Sequence, residues 1–149
     1  MNRRKPITYK TYLVFAMRQI QLPSRIESVD EAAMMADDYA KSCGCGDETT
    51  FALDLAIRES VANAVKHGNK FDESKMVHLT LDDKPEGLEI TVRDFGTGFK
   101  IEDIADPTDP DNLLKTNGRG ILFMRSFMDE VEWENPADGG LLVRMLKKK

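Results

Sequence analysis

The chain is short of histidine, cysteine and positive charge, and it has no long apolar run. Two histidines and two cysteines in 149 residues leave little material for a metal cluster. The cysteines sit together as Cys43 and Cys45 in SCGCGD. One intervening residue makes a mutual disulfide awkward, and the pair lacks the spacing of a zinc site. A glycine-rich loop carrying two reduced thiols, as in a reducing cytoplasm, is the simpler reading. The net charge of −5 and the pI near 5.1 argue against direct nucleic-acid binding, which calls for a basic face. No apolar stretch is long enough to span a bilayer, so no membrane contact is expected. Arg3, Arg4 and Lys5 precede an apolar stretch from Tyr12 to Met17, but that stretch is short and is stopped by Arg18. This makes a poor secretory signal and a reasonable strand after a basic start.

Several catalytic and phosphate motifs are also missing. There is no GxxxxGK[ST], and neither DFGTGF nor NGRGIL continues into GxGxxG, so neither a P-loop nor a dinucleotide fold is supported. No Ser/His/Asp set stands out. Ser60 adjoins Glu59 and so points away from it on a helix. Internal repeats and low-complexity segments are absent.

What remains is an ordinary globular composition, 41% apolar and 32% charged, long enough for one domain over 1–149 with a real core. Residues 9 to 22 read as one strand at a sheet edge. Ser24 is placed to cap a helix whose stripe is Ile26, Val29, Ala33, Ala36 and Ala40. CGCG ends it. Asp47 or Thr49 then opens a second helix, which stops at Gly68-Asn69. Val77, Leu79 and Leu81 alternate with polar residues, as do Leu88, Ile90 and Val92, with DDKPEG between them as a hairpin turn. A long polar stretch, Lys100 to Asn117, holds Pro107, Pro110 and four Asp residues, too long for a simple connection and of the size of a functional lid. A helix with Ile121, Leu122, Met124, Arg125 and Phe127 follows, then a hairpin of Val131 to Glu134 and Leu141 to Leu146 turned by NPADGG. Antiparallel strand pairs with helices to cover one face make an α/β (α+β) two-layer sandwich, with a mostly antiparallel sheet under three helices.

Three polar stations interrupt this core pattern. On the second helix Glu59, Asn63 and His67 fall at i, i+4 and i+8, on one face, while Leu53, Ile57, Val61 and Val65 form an apolar row about half a turn away. A carboxamide oxygen can hold a hard cation and a carboxylate one turn away can take a proton; an ordinary polar helix surface fits the same residues. At a strand end, Asp94, Gly96 and Gly98 combine a hydrogen-bond acceptor with a backbone that a ligand can approach closely, though a capped turn would look alike. Gly118, Arg119 and Gly120 precede an apolar helix, a place for an anion or only a loose helix entry.

ESVANAVKHGN, DFGTGF, a lid at about 99–120 and NGRGI, in this order, resemble the N, G1 and G2 boxes of the GHKL (histidine kinase-like, Bergerat-fold) ATPase superfamily, over about residues 10–146. The short chain and the NAVKHGNK form of the first box resemble the anti-sigma-factor serine-protein kinases of bacteria. Sensor histidine kinases carry similar boxes, but their phospho-acceptor helices would have to precede Tyr9. The resemblance implies ATP and Mg2+ as cofactors. Asn63 would hold the metal between the phosphates, Asp94 would accept from the adenine amino group, and Gly96 and Gly98 would give the base room. Gly118, Arg119 and Gly120 would close on the phosphates, Glu59 would be the general base, and His67 would support the site. The implied partners are a sigma factor, held inactive, and a small anti-anti-sigma antagonist phosphorylated on Ser or Thr. A cytoplasmic location and a homodimer through the N-terminal strand and helix are also implied. The alternatives are a non-catalytic nucleotide-binding regulatory module and a detached histidine-kinase ATPase domain. One departure stands out. Many members carry Thr after the glycine that opens the last strand, where this chain has Leu141 after Gly140; a missing hydroxyl costs about 0.5–1.5 kcal/mol for one hydrogen bond.

Overall fold

The computed structural model of the chain describes residues 17–97 and 124–148. Their elements run β1 (Arg18–Pro23), α1 (Glu27–Ser42), α2 (Asp47–Asn63), a π-helical turn (Ala64–Gly68), β2 (Met76–Lys84), β3 (Gly87–Arg93), β4 (Glu130–Glu134) and β5 (Leu142–Lys148). Met124–Phe127 is helical as well. The first half of the expected N-terminal strand and the expected lid lie outside the described residues.

The strands form one antiparallel sheet in the order β1-β2-β3-β5-β4. Its register explains the alternation read from the sequence. Ile20 pairs with Leu79, Leu79 with Val92, Val92 with Val143 and Val143 with Trp133. Apolar side chains therefore cross all five strands in one row on one face, because successive strand residues point to opposite faces. β1 is an edge strand, as its sequence suggests. The expected DDKPEG turn is tighter than read: Asp82, Asp83 and Lys84 belong to β2, Lys84 pairs with Gly87, and only Pro85 and Glu86 make the turn.

The helices cover the apolar face. Leu53, Ile57, Val61 and Val65 are each at most 2% exposed, so the apolar row of α2 is buried over its whole length, each side chain worth roughly 1.5–3 kcal/mol. From α1, Ala32, Ala33, Ala36 and Ala40 are buried in the same core; small side chains let α1 and α2 approach closely. Ile26, expected in the α1 stripe, is instead exposed at the helix start.

Neither expected helix cap forms. Ile26 occupies the N-cap of α1 and Gly46 that of α2, and neither helix has a side-chain cap bond. Ser24 is recruited elsewhere: its hydroxyl donates to the carbonyl of Lys75 and accepts from Asn69. A long-range bond inside the fold has displaced a local one. Asp47 and Thr49 lie inside α2. Cys43 and Cys45 are partly buried against the core and are not joined in a disulfide.

Candidate nucleotide site

The site forms where the C-terminal part of α2, the end of β3 and the start of β5 meet. A cavity there is lined by Ser60, Asn63, Asp94, Trp133, Leu141 and Val143, among others. It unites two of the three stations named above, Asn63 from the helix and Asp94 from the strand end. Glu59 and His67 are half-buried and are not among the residues lining it. Gly98, Gly118, Arg119 and Gly120 lie outside the described residues.

The helical wall is rotated from the row expected. Ser60, Asn63 and Ala64 face the cavity, at i, i+3 and i+4, so Asn63 belongs both to this face and to the Glu59 row. The row 59-63-67 also does not continue as a straight α-helical line. α2 gives way after Asn63 to a π-helical turn, in which the Asn69 N–H reaches back five residues to the carbonyl of Ala64 at 2.8 Å. A wider turn carries His67 off the line through Glu59 and Asn63. Ser60 points away from Glu59, as its sequence position requires, and thereby enters the cavity wall. Its hydroxyl donates to the carbonyl of Ala56 at 2.7 Å. Its spacing of three from Asn63 is the signal in the sequence that marks it for this wall.

Asp94 follows directly on β3 and is only 3% exposed. Its backbone N–H donates to the carbonyl of Leu141 at 3.0 Å. Its Oδ1 accepts from the N–H groups of Gly96 at 3.1 Å and of Leu141 at 3.3 Å. Burial pushes the carboxyl pKa up from its ordinary value, while those two N–H groups and the positive charge of Arg93 pull it down. A buried carboxylate held by one oxygen can offer the other to a donor on a ligand.

Glycine makes this arrangement possible at three places. A Cβ on Gly68 would stand 2.1 Å from Oδ2 of Asp94, one on Gly96 would stand 1.7 Å from the carbonyl oxygen of Gly68, and one on Gly140 would stand 2.0 Å from the carbonyl oxygen of Asp94. Gly140 also has φ of +82°, a conformation that favours glycine. The sequence singles out Gly96 by its motif, whereas Gly68 and Gly140 read there only as a helix stop and a turn.

Next to Asp94, Phe95 packs against two side chains. The Arg93 guanidinium lies 4.4 Å from its ring centroid and the His78 ring packs edge-on at 4.6 Å. Arg93 is itself held by Asp138 at 2.6 Å. The Phe95 N–H donates to Oδ1 of Asn69 at 2.9 Å.

Apolar walls from Val92, Leu141, Val143 and Trp133, with one carboxylate at the end and a carboxamide on the facing helix, suit a flat heteroaromatic base bearing an amino group. The chain's residues 22–147 match the model of the histidine kinase-like ATPase domain. The chain belongs to that family. Among its curated relatives are proteins named as serine-protein kinases and as anti-sigma factors. It is 26% identical over 135 residues to the serine-protein kinase RsbW of Oceanobacillus iheyensis, covering 87% of this chain and 84% of that one. It is 35% identical over 100 residues to an anti-sigma F factor of Clostridium perfringens, covering 64% and 70%, and 31% identical over 105 residues to that of Anoxybacillus flavithermus, covering 68% and 70%. The two-layer sandwich with a five-stranded antiparallel sheet is the fold expected for such a chain.

Proposed function

We propose that this protein is an ATP-dependent serine/threonine-protein kinase that also acts as an anti-sigma factor, phosphorylating a small anti-anti-sigma antagonist and sequestering a sigma factor. The observation that carries the reading is the convergence of Asn63 and Asp94 on one cavity from two different elements, in a chain of this family. The names of the relatives support the kinase and anti-sigma parts. The antagonist, the sigma factor and a cytoplasmic location come from the same likeness. Among the described residues no helix is long and apolar enough to cross a membrane.

In this reading the base of ATP lies against Val92, Leu141 and Val143, and Oδ2 of Asp94 accepts from its amino group. The Asn63 carboxamide oxygen would be the protein's ligand to Mg2+, a hard-cation donor that phosphate oxygens and water would have to supplement. Bound there, the ion would neutralise charge on the phosphates. Glu59 lies one helical turn from Asn63 and takes the proton of the attacking Ser or Thr hydroxyl. That oxygen then bonds to the γ-phosphorus as the bond to the ADP oxygen breaks. Positioning and charge stabilisation supply most of the acceleration in such transfers, so few reacting side chains are needed. Gly98, Gly118, Arg119 and Gly120 would enclose the phosphates, and His67 would support the helix end from outside the cavity.

The test is transfer of labelled γ-phosphate to a candidate antagonist domain. An acid-stable phosphoserine or phosphothreonine product that disappears with Glu59→Gln is expected. Unchanged transfer by Glu59→Gln removes Glu59 as the base, and an acid-labile, base-stable product identifies histidine chemistry instead. Nucleotide-dependent partner binding with no phosphorylated product would identify a regulatory module.

A further inference from the structure

We propose that Asn69 is a positioning residue for nucleotide recognition, acting through the backbone of Phe95 on the carboxylate of Asp94. The inference rests on the reading of Asp94 as the acceptor for the adenine amino group. Asn69 follows the π-helical turn and is 2% exposed. Both ends of its carboxamide are committed. Nδ2 donates to the Ser24 hydroxyl at 2.8 Å and to the carbonyl of Met76 at 3.2 Å, which anchors it to the end of β1 and the start of β2. Oδ1 faces the other way and accepts from the Phe95 N–H at 2.9 Å.

That acceptor meets the chain one residue after Asp94, at the turn that sets the direction of the carboxylate. The other constraints on Asp94 come from Leu141 and Gly96. Leu141 fixes the side next to β5. Asn69 fixes the side next to the helix, where the carbonyl of Gly68 sits against Gly96. The carboxamide therefore links the helix that carries Asn63 to the turn that carries Asp94. A buried amide satisfied at both ends has one low-energy orientation, because turning it over would set an NH2 group against the Phe95 N–H and an oxygen against two acceptors. Loss of the Oδ1 contact lets the 94–96 turn shift without removing any group that touches the base. A displacement on the order of 1 Å of such an acceptor costs recognition heavily.

The experiment measures equilibrium binding of ATP and of GTP to the full chain by calorimetry. GTP lacks the amino group that Asp94 is assigned to read, so the ATP-over-GTP preference reports the placement of Asp94, whereas general loosening lowers both affinities together. Asn69→Leu and the less disruptive Asn69→Ser are expected to lower this preference about fivefold or more, corresponding to roughly 1 kcal/mol. Ser24→Ala, which cuts only the far anchor, is expected to lower the melting temperature and leave the preference unchanged. Preference retained in a folded Asn69→Ser or Asn69→Leu protein, with Asp94→Asn losing it, overturns the role of Asn69 and leaves that of Asp94 standing. Preference retained in Asp94→Asn overturns the adenine reading and this proposal with it. A readout on the unsubstituted protein is independent of how the variants fold. The Phe95 amide should exchange with solvent at least about tenfold more slowly than in an unstructured peptide, and an unprotected Phe95 amide also overturns the proposal.

Discussion

Gly68 stands so close to Asp94 that a single added carbon would occupy the place of the carboxylate: a Cβ at residue 68 would lie 2.1 Å from Oδ2 and 2.3 Å from Cγ. The contact joins the last residue of the π-helical turn to the first residue after β3. Gly68 has no left-handed φ, so its need for glycine is one of space alone. Gly68→Ala is therefore expected to push Asp94 out of place without straining its own backbone. Overpacking of this kind costs about 1–3 kcal/mol. The expected outcome is a lowered melting temperature and loss of most ATP binding, read by thermal unfolding and calorimetry on the same sample. A Cβ added at Gly44 or Gly46 would meet nothing within 4 Å; alanine at Gly46 should leave ATP binding as it was.

Asp94 is kept where its charge is costly. Burial raises its carboxyl pKa despite two N–H groups on Oδ1. A carboxyl whose folded pKa is raised contributes stability that is present at low pH and lost as pH rises through that folded value. Near neutral pH the ionised form is therefore a burden on the ligand-free fold. Asp94→Asn keeps an oxygen for Gly96 and Leu141 and removes the charge. We expect the ligand-free variant to melt at the same temperature as the unsubstituted protein or higher at pH 7, while its ATP binding is lost. A marked fall in melting temperature would show that the carboxylate is structural and not held for a ligand.

Much of this architecture is legible in the sequence, for identifiable reasons. The apolar row Leu53, Ile57, Val61 and Val65 and the alternation in β2 and β3 are strong periodic signals, and burial follows them. The placing of Asn63 and Asp94 in one cavity follows from motif order. Less legible are features that depend on distant partners. Ser24 looks like a helix cap until Asn69 and Lys75 are brought beside it. Gly68 and Gly140 look like chain punctuation until Asp94 is seen between them. The π-helical turn leaves no periodic mark over five residues, so an α-helical spacing puts His67 in a row that it leaves. Ser60 escapes notice when its direction is set against Glu59; set against Asn63, three residues on, it falls on the cavity wall.

His78 and Arg93 face each other across β2 and β3, with Phe95 against both. Burial, and then the charge of Arg93, hold the His78 pKa below its ordinary value of 6.5. A histidine whose folded pKa is depressed contributes stability that is present above the unfolded value and lost as pH falls below it. The fold should therefore lose stability on acidification from pH 6.5 downward. His78→Gln should flatten that part of the profile in a melting-temperature series. An unchanged acid slope in His78→Gln would assign the loss to other groups.

Leu141 reaches Asp94 through its backbone only: its N–H donates to Oδ1 and its carbonyl accepts from the Asp94 N–H. Its side chain faces the same cavity as Ser60 and Asp94 and offers that cavity no polar atom. Substitution by a residue that keeps the N–H and an extended backbone should leave the frame around Asp94 intact. Leu141→Ala is accordingly expected to retain ATP affinity within about threefold, less than the worth of one net hydrogen bond at its upper range. Leu141→Thr adds a hydroxyl beside the carboxylate, on a β-branched side chain suited to the start of β5. If that hydroxyl meets the base, affinity should rise about two- to tenfold, matching 0.5–1.5 kcal/mol. The ligand-free protein should melt lower, since a buried apolar side chain gives way to an unpaired hydroxyl. Tighter binding on a less stable fold separates this outcome from general stabilisation. Leu141→Pro, which deletes the N–H, should instead abolish binding, and calorimetry across the three variants distinguishes the contribution of the backbone from that of the side chain.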